Sequence, residues 1–221
     1  MTKQLPFDLA YKGTQGADDF IITESNAEAV KWLNRYPNWG APGLIISGPA
    51  GSGKTHLAHI WQQQTGAAYV KSADDAVRLL DAPAQPIVID GADDIAPEAL
   101  EPLFHLYNRA ATNNTHILFC SEVPLAGWNI KLPDLQSRLA ALPQVQLPPP
   151  DDMLLMALFT RALAVRGVTL KMELADYALP RLPRSARDVI ETANALDRYA
   201  LEHSKPLNLA LLREFFAPKA G

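Results

Sequence analysis

The 221-residue chain has one cysteine, no surplus of positive charge and no long apolar run. Each shortage excludes something. A single thiol cannot close an intramolecular disulfide. That residue, Cys120, ends the apolar run Ile117-Leu118-Phe119-Cys120, which predicts a buried structural thiol rather than a reactive one. A formal net charge of −4 gives no global attraction to nucleic acid or to an anionic membrane. No apolar stretch is long enough to span a bilayer, and the amino terminus lacks the charged-then-apolar design of a secretory signal. A cytoplasmic protein is therefore expected. With 48% hydrophobic and 20% charged residues, the composition is that of an ordinary globular chain. Its length suits one large or two small domains.

What the chain does carry is concentrated at residues 44–61. Leu44-Ile45-Ile46-Ser47 reads as a strand, and His56-Leu57-Ala58-His59-Ile60-Trp61 as the body of a helix. Between them lies Gly48-Pro49-Ala50-Gly51-Ser52-Gly53-Lys54-Thr55, which fits the pattern G-x-x-x-x-G-K-T. Glycines at these positions let successive backbone N–H groups turn inward around phosphate oxygens. Lys54 can reach the outer phosphates, the Thr55 hydroxyl can ligand Mg²⁺, and the helix start adds its positive dipole end. Strand, loop and helix in this order predict a nucleoside triphosphate site.

Downstream, residues 67–70, 86–90, 115–121 and 144–147 read as strands, and residues 97–111 as a helix with Pro97 in its first turn. Strands that alternate with helices and are apolar on both faces indicate a parallel sheet wrapped by helices. Pro148-Pro149-Pro150 continues neither ladder nor helix and marks a boundary. Helical patterns follow at about 151–166, 173–182, 186–203 and 207–216. The predicted organisation is a tail at 1–16, an α/β nucleotide-binding core at 17–147 and a small all-helical lid at 148–221. Asp90 ends the strand Ile87-Val88-Ile89, where a carboxylate beside a phosphate loop can hold Mg²⁺ through water.

Together these features resemble an AAA+ ATPase, and more closely the DnaA family of replication initiators, above all its Hda-type regulators. Several segments carry the resemblance: Asp18-Asp19-Phe20-Ile21-Ile22 ahead of the core, His105-Leu106-Tyr107-Asn108-Arg109 in the central helix, Leu132-Pro133-Asp134-Leu135-Gln136-Ser137-Arg138-Leu139, and Arg184-Ser185-Ala186-Arg187-Asp188-Val189. The resemblance implies that Asp19, Phe20 and Ile21 pack on adenine, with His56 beside the loop. It implies that Arg138 is an arginine finger facing a neighbouring subunit, and that Arg187 reaches from the lid to the phosphates. It places the first sensor at Ser121 or Glu122 and leaves that choice open. The alternatives are a surface ion pair for Arg138 and a solvated helix face for Arg187. ATPases of this kind set a second acid directly after Asp90 to orient the attacking water. Gly91 stands there instead, so ADP or ATP binding without efficient hydrolysis in isolation is expected; Asp93 and Asp94 are out of register. His56 and His59 have metal-ligand spacing but no third ligand, which predicts ordinary helix residues.

Two features favour a regulator over an initiator. The sequence ends at Gly221, directly after the helical patterns, with no basic recognition helix, so no sequence-specific DNA reading is expected. The tail also carries Gln4-Leu5-Pro6-Phe7-Asp8-Leu9, which resembles the peptide that docks proteins on the replicative sliding clamp, the DNA polymerase III beta subunit. Leu5, Phe7 and Leu9 would be its apolar anchors, with Gln4 fixing orientation. The resemblance thus implies DnaA and the DNA-loaded clamp as partners, and leaves homo-oligomer formation open. The rival expectations are a self-sufficient DnaA-like ATPase or helicase loader on single-stranded DNA, and a non-catalytic clamp-bound adaptor.

Overall fold

The computed structural model describes residues 20–217. Asp19 and the peptide with Gln4, Leu5, Phe7 and Leu9 lie outside the described residues. The chain divides into two compact units, one containing Phe20 and Asn26–Pro148, the other Ile21–Ser25 and the residues from Pro149 onward.

The first unit is built on a parallel sheet. Its strands among the described residues are β1 (Gly43–Ser47), β2 (Ala68–Val70), β3 (Ile87–Asp90), β4 (Ile117–Ser121) and β5 (Gln144–Gln146), in the spatial order β2-β3-β4-β1-β5. The helices are α1 (Ala27–Leu33), α2 (Lys54–Thr65), α3 (Ala73–Asp81), α4 (Leu100–Asn113) and α5 (Pro133–Ala140). Strands β1 and β4 are buried at every position, as expected for a sheet covered on both faces.

Alternation along the strands separates two cores. Leu44, Ile46, Val88, Leu118 and Cys120 face α1 and α2, packing with Leu33, Leu57 and Trp61. Ile45, Ile87, Ile89, Ile117 and Phe119 face the opposite way, onto α4 and α5 through Leu103, Leu106, Leu135 and Leu139. Full burial of side chains such as Trp61 and Phe119 contributes roughly 1.5–3 kcal/mol each before entropy is counted. Cys120 is fully buried, and burial, assisted by the nearby Asp90, pushes its thiol well above the ordinary range, so it is inert packing.

The 97–111 helix opens with a 3₁₀ turn at Pro97–Ala99 before α4 proper. Two helices carry no obvious sequence signal. In α1 the apolar side is short, and α3 is acidic, with only Ala76 buried. Ser72 caps α3 by accepting from the Asp75 N–H at 3.2 Å. At its other end, the Arg109 guanidinium of α4 donates to the carbonyls of Leu79 (2.6 Å), Leu80 (2.5 Å) and Ala82. A cation there meets the negative end of the α3 dipole.

The second unit is helical: α6 (Asp152–Ala164), α7 (Met172–Ala178) followed by a 3₁₀ turn at Leu179–Arg181, α8 (Ala186–Glu202) and α9 (Leu209–Phe215). Leu155, Phe159, Leu163, Leu174, Val189, Leu196 and Leu211 form its core. Asp151, Ser185 and Asn208 cap α6, α8 and α9 by accepting the N–H groups of Leu154, Asp188 and Leu211. Asp151 also accepts from the backbone N–H of Ser25 at 3.2 Å, which ties the segment Ile21–Ser25 to this unit. Among the described residues no helix is long and apolar enough to cross a membrane.

Candidate nucleotide-binding site

The carboxyl ends of the central strands meet at one edge. Ser47 of β1 lies in register with Ser121 of β4, and Asp90 of β3 with Cys120. The loop begins there. The Gly48 N–H donates to the Ser121 carbonyl at 3.1 Å, while the Leu147 N–H donates to the Ser47 carbonyl at 2.7 Å. The loop's first residue is thereby clamped between β4 and the end of β5. A Cβ at Gly48 would stand 2.4 Å from the Leu147 carbonyl oxygen and 3.1 Å from Ser52 Oγ, so only glycine fits.

Beyond Gly48, the loop runs through Pro49 and Ala50 into a tight turn. Gly51 (φ 74°) and Gly53 (φ 102°) take the left-handed region, and the Ser52 N–H donates to the Pro49 carbonyl at 3.2 Å. Gly53 is also the N-cap of α2 and carries no side chain to satisfy the first N–H groups of that helix. Lys54 is 7% exposed, and its ammonium donates to the carbonyls of Gly48 (2.7 Å) and Pro49 (2.9 Å). It makes no ion pair with a carboxylate among the described residues. Ser52 is buried and its hydroxyl has no hydrogen-bond partner. A buried cation satisfied only by carbonyls, an orphaned hydroxyl and uncapped helix N–H groups all call for an anion at this loop. The residues present therefore fit the phosphates of a nucleotide. Thr55 is exposed at the helix start and Asp90 half-buried at the strand end, the two oxygens that would hold Mg²⁺ accompanying that nucleotide.

Around this centre the remaining residues sort by position. Phe20 stacks on His56 (centroids 5.5 Å apart, 16° between planes), in the first turn of α2. Burial holds the His56 imidazole below its ordinary pKa, and His59 pushes it the same way, which favours the neutral, stackable ring. His59 instead meets the Tyr69 hydroxyl at 3.2 Å, and among the described residues no group of metal-ligating side chains forms. Ser121 is buried and its hydroxyl donates to the Val123 carbonyl at 2.8 Å, whereas Glu122 is exposed. Asp93 accepts the Glu122 N–H with both carboxylate oxygens, at 3.1 and 3.2 Å. This tie between the loops after β3 and β4 was not legible in the sequence, because the two partners lie 29 residues apart. Gly91 has φ 80° with nothing within 4 Å of a Cβ. Both it and Ala92 donate to the Cys120 carbonyl, at 3.0 and 2.8 Å.

Arg138 is exposed on α5, with its guanidinium over the rings of Phe104 (5.3 Å) and Tyr107 (5.7 Å) of α4. The Tyr107 hydroxyl approaches the Arg138 carbonyl at 3.4 Å. Arg138 thus projects from the helical layer on the opposite face of the sheet from α2. Ile21 and Arg187 belong to the helical unit. Arg187 lies in the first turn of α8, 83% exposed, and pairs with Glu191 at 3.1 Å.

Strand order, loop and flanking helices define the class: an α/β, AAA+-like P-loop fold. Comparison with known proteins carries this a step further. No protein-family model matches the chain. A Haemophilus influenzae protein described as uncharacterized is 27% identical over 233 residues, covering 97% of this chain and 98% of its own. Among solved structures, domain III of the Thermotoga maritima replication initiation protein DnaA superposes with a TM-score of 0.71 at 19% identity, covering 91% of this chain and 96% of that one. AMPPCP-bound DnaA from Aquifex aeolicus gives 0.70 at 19%, covering 84% of this chain and 66% of that one, so this chain spans just under two thirds of it. The Thermotoga maritima RuvB Holliday junction branch migration motor gives 0.72 at 18%, covering 91% and 71%. At such identities the likeness is one of fold. The chain has a DnaA-like AAA+ fold.

Proposed function

We propose that this chain is an Hda-type regulator of replication initiation: it binds adenine nucleotide at residues 48–55, docks on the DNA-loaded sliding clamp through Gln4, Leu5, Phe7 and Leu9, and presents Arg138 to ATP held by DnaA. The observation that carries the nucleotide half is Lys54, a buried cation whose partners are two loop carbonyls. Thr55 and Asp90 would hold the accompanying Mg²⁺, which supplies charge neutralisation at the phosphates. ADP suits the working state, because Gly91 offers no carboxylate to orient a water in this chain's own site.

The regulatory half is supported by the position of Arg138, exposed and projecting from the sheet face away from α2. A guanidinium supplied across an interface stabilises charge developing on a transferred γ-phosphoryl group. Hydrolysis then belongs to DnaA, which is left in its ADP form, while this chain contributes a charge and an address. The test is reconstitution of DnaA-bound ATP, clamp-loaded DNA and this chain, scored by ATP remaining on DnaA. Accelerated loss of ATP that requires all components supports the reading. No loss alongside sustained hydrolysis by this chain alone favours a motor such as a helicase loader, and clamp binding without either favours a passive adaptor. Phe7→Ala with Leu9→Ala should abolish the effect at the clamp step, since truncating two pocket anchors costs about 2 kcal/mol or more.

A further inference from the structure

The helical unit is rich in arginine, and four of its cations are matched in ion pairs. Arg166 pairs with Asp197, Arg184 with Asp152, Arg187 with Glu191 and Lys205 with Glu214. Lys171 and Arg198 are exposed and outside these pairs, as are two further arginines that stand close together. Arg181 and Arg213 make no ion pair among the described residues, yet both converge on one ring. The Arg181 guanidinium lies 3.7 Å from the Tyr177 centroid and that of Arg213 lies 6.0 Å from it. These distances place the two like charges within about 10 Å of each other.

Arg181 is also held in orientation. It follows Tyr177 by one helical turn, and its Nη1 donates to the Tyr177 carbonyl at 2.7 Å. One hydrogen bond and one stacked face fix the plane of its guanidinium, while the side chain stays exposed. Such a plane is a surface on which a further flat group can stack, and its remaining N–H groups form a fork suited to phosphate oxygens. Arg213 arrives from α9 and brings a second fork to the same ring. The neighbouring acids set the strength of the patch. Glu173 is one turn before Tyr177 on α7, Asp176 is adjacent to it, and Glu214, next to Arg213, is drawn off by Lys205 at 2.6 Å. Two cations without an ion pair therefore share the neighbourhood of Tyr177 with two exposed carboxylates, which suits a weak site that gains from stacking as well as from charge.

We infer that Tyr177, Arg181 and Arg213 form a contact site for single-stranded nucleic acid, the two guanidiniums binding backbone phosphates and the Arg181–Tyr177 stack receiving a base. Recognition of this kind is tolerant of sequence, because every base has a flat face and every nucleotide a phosphate. The site lies wholly within the helical unit and is independent of the loop at 48–55. It adds a nucleic-acid contact that the proposed regulatory role does not require.

The test is fluorescence anisotropy of the full chain with a labelled oligothymidylate across about 50–200 mM salt. The expected result is weak, salt-sensitive binding that falls roughly tenfold in Arg181→Ala/Arg213→Ala. The slope of log affinity against log salt should become shallower by about 1.4, some 0.7 for each single-strand phosphate that is no longer neutralised. Tyr177→Leu should weaken binding while leaving that slope unchanged, a signature of missing stacking rather than missing charge. Arg78→Ala, which removes a positive charge from a paired arginine of the other unit, should bind as the parent does. Unaltered binding in the double arginine variant overturns the assignment. So do an equal weakening in Arg78→Ala, preferential displacement of the oligonucleotide by polyglutamate, or no binding by the parent chain.

Discussion

The ammonium of Lys54 rests 2.7 Å from the carbonyl oxygen of Gly48, folded back onto the loop that precedes its own helix. A phosphate would exchange two carbonyl contacts for a charge-assisted one. Lys54→Ala should therefore fold, since it removes a desolvated cation, but should weaken ADP binding by about 2–3 kcal/mol. Calorimetry giving an unchanged ADP affinity would remove the loop from the account.

The loop depends just as much on what is missing at its first residue. Gly48→Ala would press a methyl group against the Leu147 carbonyl, a backbone atom that cannot swing aside. The loop must move away from β5, at a cost of about 1–3 kcal/mol. Thermal melts should show a lowered Tm and calorimetry a loss of ADP binding. A variant as stable and as tight-binding as the parent would contradict the register described for Ser47, Gly48 and Leu147.

Gly91 is constrained differently, by conformation and not by space. Its φ of 80° penalises any side chain, though nothing stands within 4 Å of a Cβ. Gly91→Ala should cost about 1–2 kcal/mol in urea unfolding, with Gly91→Asn costing less. Gly91→Asp, which sets an acid directly after Asp90, would bear the same strain. Any gain in intrinsic ATP turnover must be read against that loss of stability.

His116 links stability to pH. Its ring is buried against Tyr36 and Trp39, and its Nδ1 has no partner. Burial lowers its pKa, and a hydrogen bond to the Pro37 carbonyl opposes that only in part. The unfolded chain then binds the proton more readily than the folded one just below the ordinary value of 6.5, so stability falls as pH drops through that region. His56 is shifted the same way and adds to the loss. Urea melts at pH 7.5 and at about pH 5.5 should show the decline, smaller in His116→Gln. A stability independent of pH over this range would contradict the buried, neutral assignment.

Much of this molecule was legible because its signals are periodic or compositional. Runs such as Ile87-Val88-Ile89-Asp90 can be little other than buried strands, and the loop motif announces its own geometry. The strand expected at 115–121 begins two residues later, at Ile117, after Thr115 and the buried His116. Helices α1 and α3 escaped because they are short and bury few residues; the clue for α3 was Ser72 three positions before Asp75, a local capping signal. The choice between Ser121 and Glu122 could not be made from sequence, since it turns on where a side chain points. Ser121 is buried and donates to Val123, while the Glu122 side chain is exposed. Nor could sequence show that Ile21–Ser25 belongs with the helical unit, because that grouping depends on Asp151, 126 residues beyond Ser25.

Arg138 gives the most direct test of the central claim. In the reconstituted mixture of DnaA-bound ATP, clamp-loaded DNA and this chain, ATP remaining on DnaA is measured with parent, Arg138→Ala and Arg138→Lys. The account predicts that Arg138→Ala folds, binds ADP and reaches the clamp, yet loses stimulation by ~10³-fold or more. Arg138→Lys should also be poor, because an ammonium lacks the planar fork. Full stimulation by Arg138→Ala, with both bindings intact, would contradict it.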